Sequence, residues 1–139
     1  KVTGITAMYM ADGIDTGDII KIYPCEITPD DDFGSLHDKL AVLAGEAMCD
    51  VIDMTESGTI TRTKQDDEKS SYAAKIEKED TVIDFTKNAE DIVNLVRGLS
   101  PAPLAVTRTP DGKLLKLTHA RLSDMAKRSQ LFRTREMAR

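Results

Sequence analysis

Apolar and β-branched side chains dominate two stretches near the start of the chain, residues 2–10 and 18–27. This composition favours strands, and a turn rich in aspartate and glycine separates them. Pro24 lies in the second stretch and offers no N–H to a sheet ladder, so that strand is predicted either to lie at a sheet edge or to be interrupted. The pattern therefore predicts two strands joined by an acidic loop.

A helical period follows this pair of strands. Apolar residues recur at intervals of three and four, which predicts a helix of about 24 residues. Asp31 or Asp32 suits its N-cap, and Gly58 suits its C-terminal stop. We expect its apolar stripe to need more cover than two strands provide. The stripe consists of Leu36, Leu40, Leu43, Ala44, Ala47, Met48, Val51 and Ile52.

Polar residues without a period fill positions 59–71, which is typical of a linker. In the short segment after it, we expect Val82, Ile83 and Phe85 to act as apolar anchors. A second helix is predicted over residues 88–99, because apolar residues share one face and prolines follow its end. That face carries Ile92, Leu95, Val96 and Leu99, and the prolines are Pro101 and Pro103.

The last predicted element is a β-hairpin around Pro110-Asp111-Gly112, in which proline presets one turn angle and glycine accepts a positive φ. A closed barrel would need at least three strands beyond this hairpin. The order of elements indicates an α/β chain whose two parts are each incomplete.

Composition and charge limit the number of domains and the kinds of partner that the chain can have. The 139 residues are 40% hydrophobic and 31% charged, enough for one domain or for two small units with a linker. No apolar run spans a membrane, so we expect a soluble intracellular protein. The net charge of −5 conceals a basic tail, residues 121–139, with six basic against two acidic side chains. That tail indicates either a polyanionic partner or a solvated chain end.

Cysteine usage predicts neither a disulfide nor a metal site. Cys25 and Cys49 form no CxxC pattern and have no histidine cluster beside them, so we expect two reduced thiols. His37 and His119, the only histidines, are each expected to be surface side chains.

The acidic loop carries the candidate chemistry. Asp15 lies between Gly13 and Gly17, with Asp12 and Asp18 three residues away on either side. Loops at strand ends are where α/β enzymes place acid–base groups. An ordinary turn and a weak cation site are the alternatives that this pattern leaves open.

Four separated blocks resemble the methionyl-tRNA formyltransferases: GITAMYMADGIDTGDII, ITPDDDFGSLHDKLAVLAGEAM, QDDEKSSYAAKIEKEDTVIDF and NLVRGLSPAP. The resemblance covers about residues 3–120 and implies the C-terminal part of a Rossmann-like formyltransferase domain, a linker, and a partial domain like an oligonucleotide-binding barrel. The implied ranges are 1–60 for the catalytic part, 61–80 for the linker and 81–139 for an incomplete domain with a divergent basic tail.

The resemblance also implies an activity, the transfer of a formyl group from 10-formyltetrahydrofolate to the amino group of methionine on initiator tRNA, in the cytoplasm and without a metal. Asp15 inherits the catalytic role, orienting a histidine and helping to relay a proton. The loop residues Met10, Asp12, Gly13 and Ile14 would meet the folate. Lys75, Lys78 and Arg97 would meet the tRNA.

Two expected motifs are missing from these 139 residues, the Asn-x-His pair and the Ser-Leu-Leu-Pro folate motif. We therefore expect an inactive fragment of the enzyme. The family's Asn-Pro-Trp-Pro is replaced by residues 100–103, and Phe85 and Leu117 stand where tryptophan is common. The loss of aromatic anchors weakens the expected packing of the C-terminal part.

Three alternatives remain from the sequence. The acceptor could be an amino-sugar nucleotide, since related formyltransferases share the loop. The chain could bind RNA without catalysis, or it could be a product of a rearranged gene that self-associates through exposed apolar surfaces. Lys75 and Lys78 could equally be solvated lysines beside acidic neighbours, and Arg97 could serve packing alone.

Overall fold

A computed structural model of the chain describes residues 1–123. Its elements, in chain order, are β1 (Val2–Met8), β2 (Ile19–Glu26), α1 (Phe33–Glu56), α2 (Ala89–Gly98), β3 (Ala105–Arg108) and β4 (Leu114–Leu117), with short 3-10 turns at Asp67–Lys69 and Glu79–Thr81. The chain divides into two units. The first comprises Lys1–Asp31 and Ser35–Ala74, and the second comprises Asp32–Gly34 and the described residues from Lys75 to Ser123.

The first unit contains a two-stranded antiparallel sheet. β1 and β2 pair from Val2 opposite Glu26 to Ala7 opposite Lys21, and an irregularity after Ala7 brings Met8 opposite Ile19. Pro24 pairs in register, so β2 runs through the proline without interruption. Of the two predictions for this strand, the edge position is the correct one, since both strands of a two-stranded sheet are edges.

Helix α1 follows the predicted length, with 24 residues, and Gly58 after it has a φ of +68°. The buried carboxylate of Asp31 precedes the helix. It accepts hydrogen bonds from the N–H and hydroxyl of Thr28 at 2.8 and 2.9 Å and from the Ser35 hydroxyl at 2.9 Å, and it pairs with the Lys39 ammonium at 2.7 Å. The Lys39 and Thr28 bonds lower the pKa of Asp31 and fix the entry of the chain into α1.

The apolar stripe of α1 is only partly covered. Ala47 is its one buried member among the described residues, whereas Met48 and Ile52 are 62% and 50% exposed. This agrees with the expectation that the sheet alone cannot cover the helix.

Tyr23 joins β2 to α1. Its hydroxyl donates to a carboxylate oxygen of Asp50 at 2.6 Å, and the Lys21 ammonium lies 2.6 Å from the same oxygen. A phenolate beside this carboxylate would lose the hydrogen bond and gain repulsion, so the pKa of Tyr23 is raised to about 12.

This contact predicts a pH dependence at the alkaline end. Because the folded-state pKa of Tyr23 exceeds the unfolded value, the stabilisation is present below about pH 10 and is lost as the pH rises towards about 12. Absorbance titration near 295 nm should show one tyrosine of the chain ionising with a pKa near 12. Asp50→Asn should lower that pKa, and an unchanged titration in this variant would contradict the assignment.

The second unit is built around α2. Asn88 caps the helix by accepting a hydrogen bond from the Asp91 N–H at 2.9 Å. The predicted apolar face is confirmed, because Val96 and Leu99 are buried and Ile92 and Leu95 pack against them. The same core holds Ile83 and Ala105, with partial cover from Leu117 and Ala120.

The predicted hairpin is confirmed as β3 and β4, with Gly112 at a φ of +83° in the turn. Val82 forms a parallel bridge to Val106, and the Ile83 N–H donates to the Val106 carbonyl at 2.9 Å. Among the predicted anchors, only Ile83 is buried. The prediction for Phe85 is wrong, since its side chain is 66% exposed, and that for Val82 is also wrong, at 56%.

Several smaller predictions also have an outcome. Cys25 and Cys49 are free cysteines, and His37 and His119 are exposed. Within residues 1–123, no helix is long and apolar enough to cross a bilayer. The prediction for the basic tail falls mostly outside the described residues, which end at Ser123.

Candidate functional site

The acidic loop between β1 and β2 is closed at its base by backbone contacts. The Tyr9 N–H donates to the Asp18 carbonyl at 3.0 Å. Gly17 is buried there, and a Cβ at this position would collide with the Tyr9 carbonyl oxygen. Inside the loop, the Thr16 hydroxyl donates to the Gly13 carbonyl at 3.1 Å. The close approach explains why glycine stands at position 17.

Asp15 stands near the tip of this loop in an unusual conformation. Its φ is +55°, in the left-handed region that residues with a side chain seldom adopt and that Asp tolerates better than most. The side chain is exposed, and within residues 1–123 its carboxylate makes no hydrogen bond or ion pair. The backbone therefore sets the direction of the Asp15 Cα–Cβ bond, and no side-chain contact within residues 1–123 adds to it.

The loop encloses a concavity of about 380 Å³, lined by Met8 through Gly17. Met10 and Ile14 are 98% and 94% exposed beside it. Large apolar side chains at such exposure can gain by covering an apolar ligand face. Asp12 and Gly13 lie on the same exposed loop, so the structure brings the predicted donor-binding residues together with Asp15.

Two residues that sequence reasoning missed hold this loop from outside. The Arg62 guanidinium stacks on the Tyr9 ring, 3.8 Å from its centroid, and lies 3.8 Å from the Asp18 carboxylate. The Gln65 side-chain amide donates to the carbonyls of Asp15 and Gly17 at 2.8 and 2.6 Å. Both residues lie in the polar stretch 59–71 that is predicted to be a linker. That stretch has no hydrophobic period, so the sequence gives no sign of which side chains turn inward.

The predicted tRNA-binding residues belong to the second unit. Lys75 and Lys78 are exposed, and Arg97 is half-buried on the last turn of α2. Exposed ammonium groups can contact phosphates without precise geometry. Their exposure is compatible with both readings, a phosphate contact and a solvated lysine.

The described residues also show how the side chains that can hold metal ions are placed. Residues 1–123 contain no group of three or more His, Cys, Asp or Glu side chains placed to hold a metal ion. The acidic loop of Asp12, Asp15 and Asp18 is therefore not such a cluster.

Comparison with known proteins gives matches along most of the chain. Residues 1–52 match the formyl transferase family model, and residues 75–134 match the model of the formyl transferase C-terminal domain. The second match extends into the basic tail.

Curated relatives include the methionyl-tRNA formyltransferase of Halothermothrix orenii, 47% identical over 117 residues, and that of Bacillus subtilis, 39% identical over 117 residues. Each alignment covers 84% of this chain and 37% of the relative. The chain thus spans little more than a third of the length of the relatives it matches.

Two solved structures share the fold. A Mycobacterium tuberculosis protein inferred to be a sugar N-formyltransferase matches with a TM-score of 0.66 and 18% identity, over 88% of this chain and 56% of that one. The methionyl-tRNA formyltransferase from Clostridium thermocellum matches with a TM-score of 0.57 and 20% identity, over 84% of this chain and 55% of that one.

Proposed function

The chain belongs to the formyltransferase family, and on that basis we propose that it forms part of an enzyme that transfers a formyl group from 10-formyltetrahydrofolate to the amino group of methionyl-tRNA. The observation that carries the proposal is the 47% identity to a methionyl-tRNA formyltransferase over 117 of the 139 residues. The role belongs to translation initiation, and cytoplasmic localisation stays a prediction of that role.

Asp15 is the residue to which we assign the chemistry. An amine that forms a new C–N bond must lose a proton, and a positioned carboxylate can accept it or orient a histidine that does. The Asp15 carboxylate is exposed and carries no partner within residues 1–123, so it is available for this task. The histidine and asparagine that the family resemblance implies are to be supplied from outside this sequence.

The donor-binding assignment is supported by the shape of the loop. Met10 and Ile14 project exposed apolar surface beside the concavity, and Asp12 and Gly13 supply polar backbone in the same loop. This combination suits one face and one edge of a pterin ring. When bound, 10-formyltetrahydrofolate supplies the activated formyl carbon, while the loop holds the ring and excludes water from one side.

Two candidate acceptors of the formyl group remain to be distinguished. A fold match to a protein inferred to be a sugar N-formyltransferase keeps an amino-sugar nucleotide as the second candidate. Identity favours tRNA, since the relatives of 38% to 48% identity carry the tRNA-linked name. Assaying the full-length enzyme with charged initiator tRNA and with an amino-sugar nucleotide decides between them. Formylation of the sugar alone would overturn our choice.

The second unit is proposed to carry the tRNA contacts through Lys75, Lys78 and Arg97. The bridge between Val82 and Val106 places a third backbone segment beside the β3–β4 hairpin. That arrangement supports our proposal of a partial oligonucleotide-binding barrel over residues 81–139. The linker at 61–80 and the catalytic part at 1–60 stay predictions of the family resemblance.

The lysine assignment predicts a change in salt dependence. Each phosphate contact that is removed should reduce the slope of log K against log salt by about 0.7 to 0.9. We therefore expect Lys75→Ala/Lys78→Ala in the full-length enzyme to lower that slope by about 1.5. Lys113→Ala is the control, since this exposed lysine pairs with Asp111 in the hairpin. An unchanged slope in the double variant would make the two lysines ordinary solvated side chains.

Two further alternatives have simple tests. An RNA-binding role without catalysis predicts tRNA binding but no formylation by the full-length protein.

Self-association is supported by the exposed apolar residues on α1, among them Val42 at 66% and Met48 at 62% exposure. Sedimentation velocity over a range of concentrations measures it.

A further inference from the structure

Residues 61–65 form a bracing segment against β2 and the acidic loop. The Thr61 hydroxyl donates to the Ile20 carbonyl at 3.1 Å. Thr63 and Ile19 exchange both backbone hydrogen bonds, at 2.8 and 2.9 Å. The segment therefore pairs with the edge of β2 where that strand leaves the loop, and it delivers Gln65 to the loop itself.

The Gln65 side chain makes a two-point contact. Its amide nitrogen carries two hydrogens, and the Asp15 and Gly17 carbonyl oxygens lie 2.8 and 2.6 Å from it. The carbonyl end of the amide cannot take this place, because it would face two oxygens. Gln65 is also the one side chain of residues 61–70 that is not exposed. The contact thus spans Thr16 and ties both of its neighbours to one donor.

The carbonyl of Asp15 belongs to the residue with a φ of +55°. Conformations of this kind persist where the surroundings over-determine them. Two neighbouring constraints are visible, the Gln65 hydrogen bond at Asp15 and the second one at Gly17, whose backbone packs against the Tyr9 carbonyl. Since the Asp15 carboxylate has no partner of its own within residues 1–123, the direction in which its Cα–Cβ bond leaves the loop depends on these backbone constraints.

A capped 3-10 turn follows Gln65. Asp66 accepts a hydrogen bond from the Glu68 N–H at 3.2 Å and pairs with Lys69 at 2.7 Å, which caps the 3-10 turn that follows. Gln65 therefore lies between the segment paired with β2 and a capped 3-10 turn.

We propose that Gln65 is a positioning residue for formyl transfer, which holds the backbone of Asp15 and Gly17 so that the Asp15 carboxylate points at the reacting amine. The inference rests on the proposed function, because Asp15 is assigned its role there. Gln65 acts through the loop backbone and touches neither substrate nor donor.

The main test is Gln65→Glu in the full-length enzyme. This substitution keeps the size of the side chain and replaces the donating amide by a carboxylate oxygen, which repels both carbonyls. Misplacing a catalytic group by about 1 Å can cost about a hundredfold in rate. We expect kcat to fall by about that factor, with KM for donor and tRNA within about threefold of the original. Gln65→Asn, which keeps the amide but is one methylene shorter, should retain part of the rate.

The control is Thr61→Val, which removes a side-chain hydrogen bond to β2 in the same segment without touching the loop. It should keep kcat within about twofold. A kcat of Gln65→Glu within twofold of the original, measured with an active enzyme, would overturn the inference.

A double variant separates positioning from general damage. If Gln65 acts through Asp15, Gln65→Glu should add less than about twofold to the loss already caused by Asp15→Asn. If the loss of kcat in the double variant equals the product of the two single losses, Gln65 has an independent structural effect, and the inference is overturned.

Hydrogen exchange of the amides in residues 13–18 separates failure of this inference from failure of the proposed function. Gln65→Glu should speed their exchange, while exchange in α2 stays unchanged. If the full-length protein does not formylate tRNA, the proposed function fails, and exchange still reports on Gln65. Unaltered exchange in the loop would overturn the positioning role whether or not the enzyme is active.

Discussion

Asp15→Asn should lower kcat for formylation of methionyl-tRNA by about a thousandfold in the full-length enzyme, which makes it the most damaging single change that we expect. General acid–base groups contribute about a hundredfold to ten-thousandfold to rate. The amide of Asn keeps the size of the carboxylate, but it is not basic enough to accept a proton and has no negative charge to stabilise a cationic histidine. Because the carboxylate is exposed and unpaired within residues 1–123, the fold should not depend on it.

The measurement is the initial rate of formylation of charged initiator tRNA, with circular dichroism and thermal unfolding as checks on the fold. Asp53→Asn is the matched control, since Asp53 is an exposed residue of α1 that does not line the loop concavity. Its rate should equal the original. If Asp15→Asn retained full turnover, the assignment of the chemistry to this loop would be wrong.

Gly17→Ala should destabilise the chain by about 3 kcal/mol, the upper end of the usual range for overpacking. The added Cβ would meet the Tyr9 carbonyl oxygen at far less than van der Waals separation. That oxygen belongs to backbone and cannot swing away as a side chain would. The Tyr9 N–H is bonded to the Asp18 carbonyl at 3.0 Å, so relief of the clash must open the base of the loop.

Urea unfolding of the 139-residue chain measures this effect, and formylation by the full-length variant should fall with it. The matched control is Gly45→Ala within α1, where an added Cβ would meet nothing within 4 Å apart from the neighbouring backbone of its own helix. Alanine is the better helix former, so this variant should gain up to about 1 kcal/mol. If the urea concentration at the midpoint of unfolding were the same for Gly17→Ala and the original chain, the steric argument would be refuted.

Local signals made the regular elements predictable. The period of three and four residues located α1 and the face of α2, and the Pro-Asp-Gly turn located the β3–β4 hairpin. Each of these signals lies within one element, where neighbouring residues share a face or a turn. The family resemblance, now supported by two family models, rests on short motifs in the correct order.

Contacts between distant parts of the sequence were not predictable in the same way. Gln65 meets Asp15 across 50 positions, and a polar side chain that bonds to backbone leaves no trace in hydrophobic periodicity. Phe85 failed for a different reason, since its apolar character indicated burial, whereas the chain turns there: the Lys87 N–H donates to the Asp84 carbonyl at 3.2 Å and leaves Phe85 exposed in that turn. The motif thus identified the candidate carboxylate, and only coordinates revealed what holds it.

The pairing of Thr63 with Ile19 bears on how a shortened protein should be designed. Cutting the chain at residue 60 would leave the edge of β2 with two unpaired backbone groups, open to strands from other molecules. It would also remove Gln65, whose side-chain amide bonds to the carbonyls of Asp15 and Gly17 on either side of Thr16. A version meant to keep the N-terminal unit intact should therefore end at Ala74, where that unit ends, and carry the whole polar stretch with it.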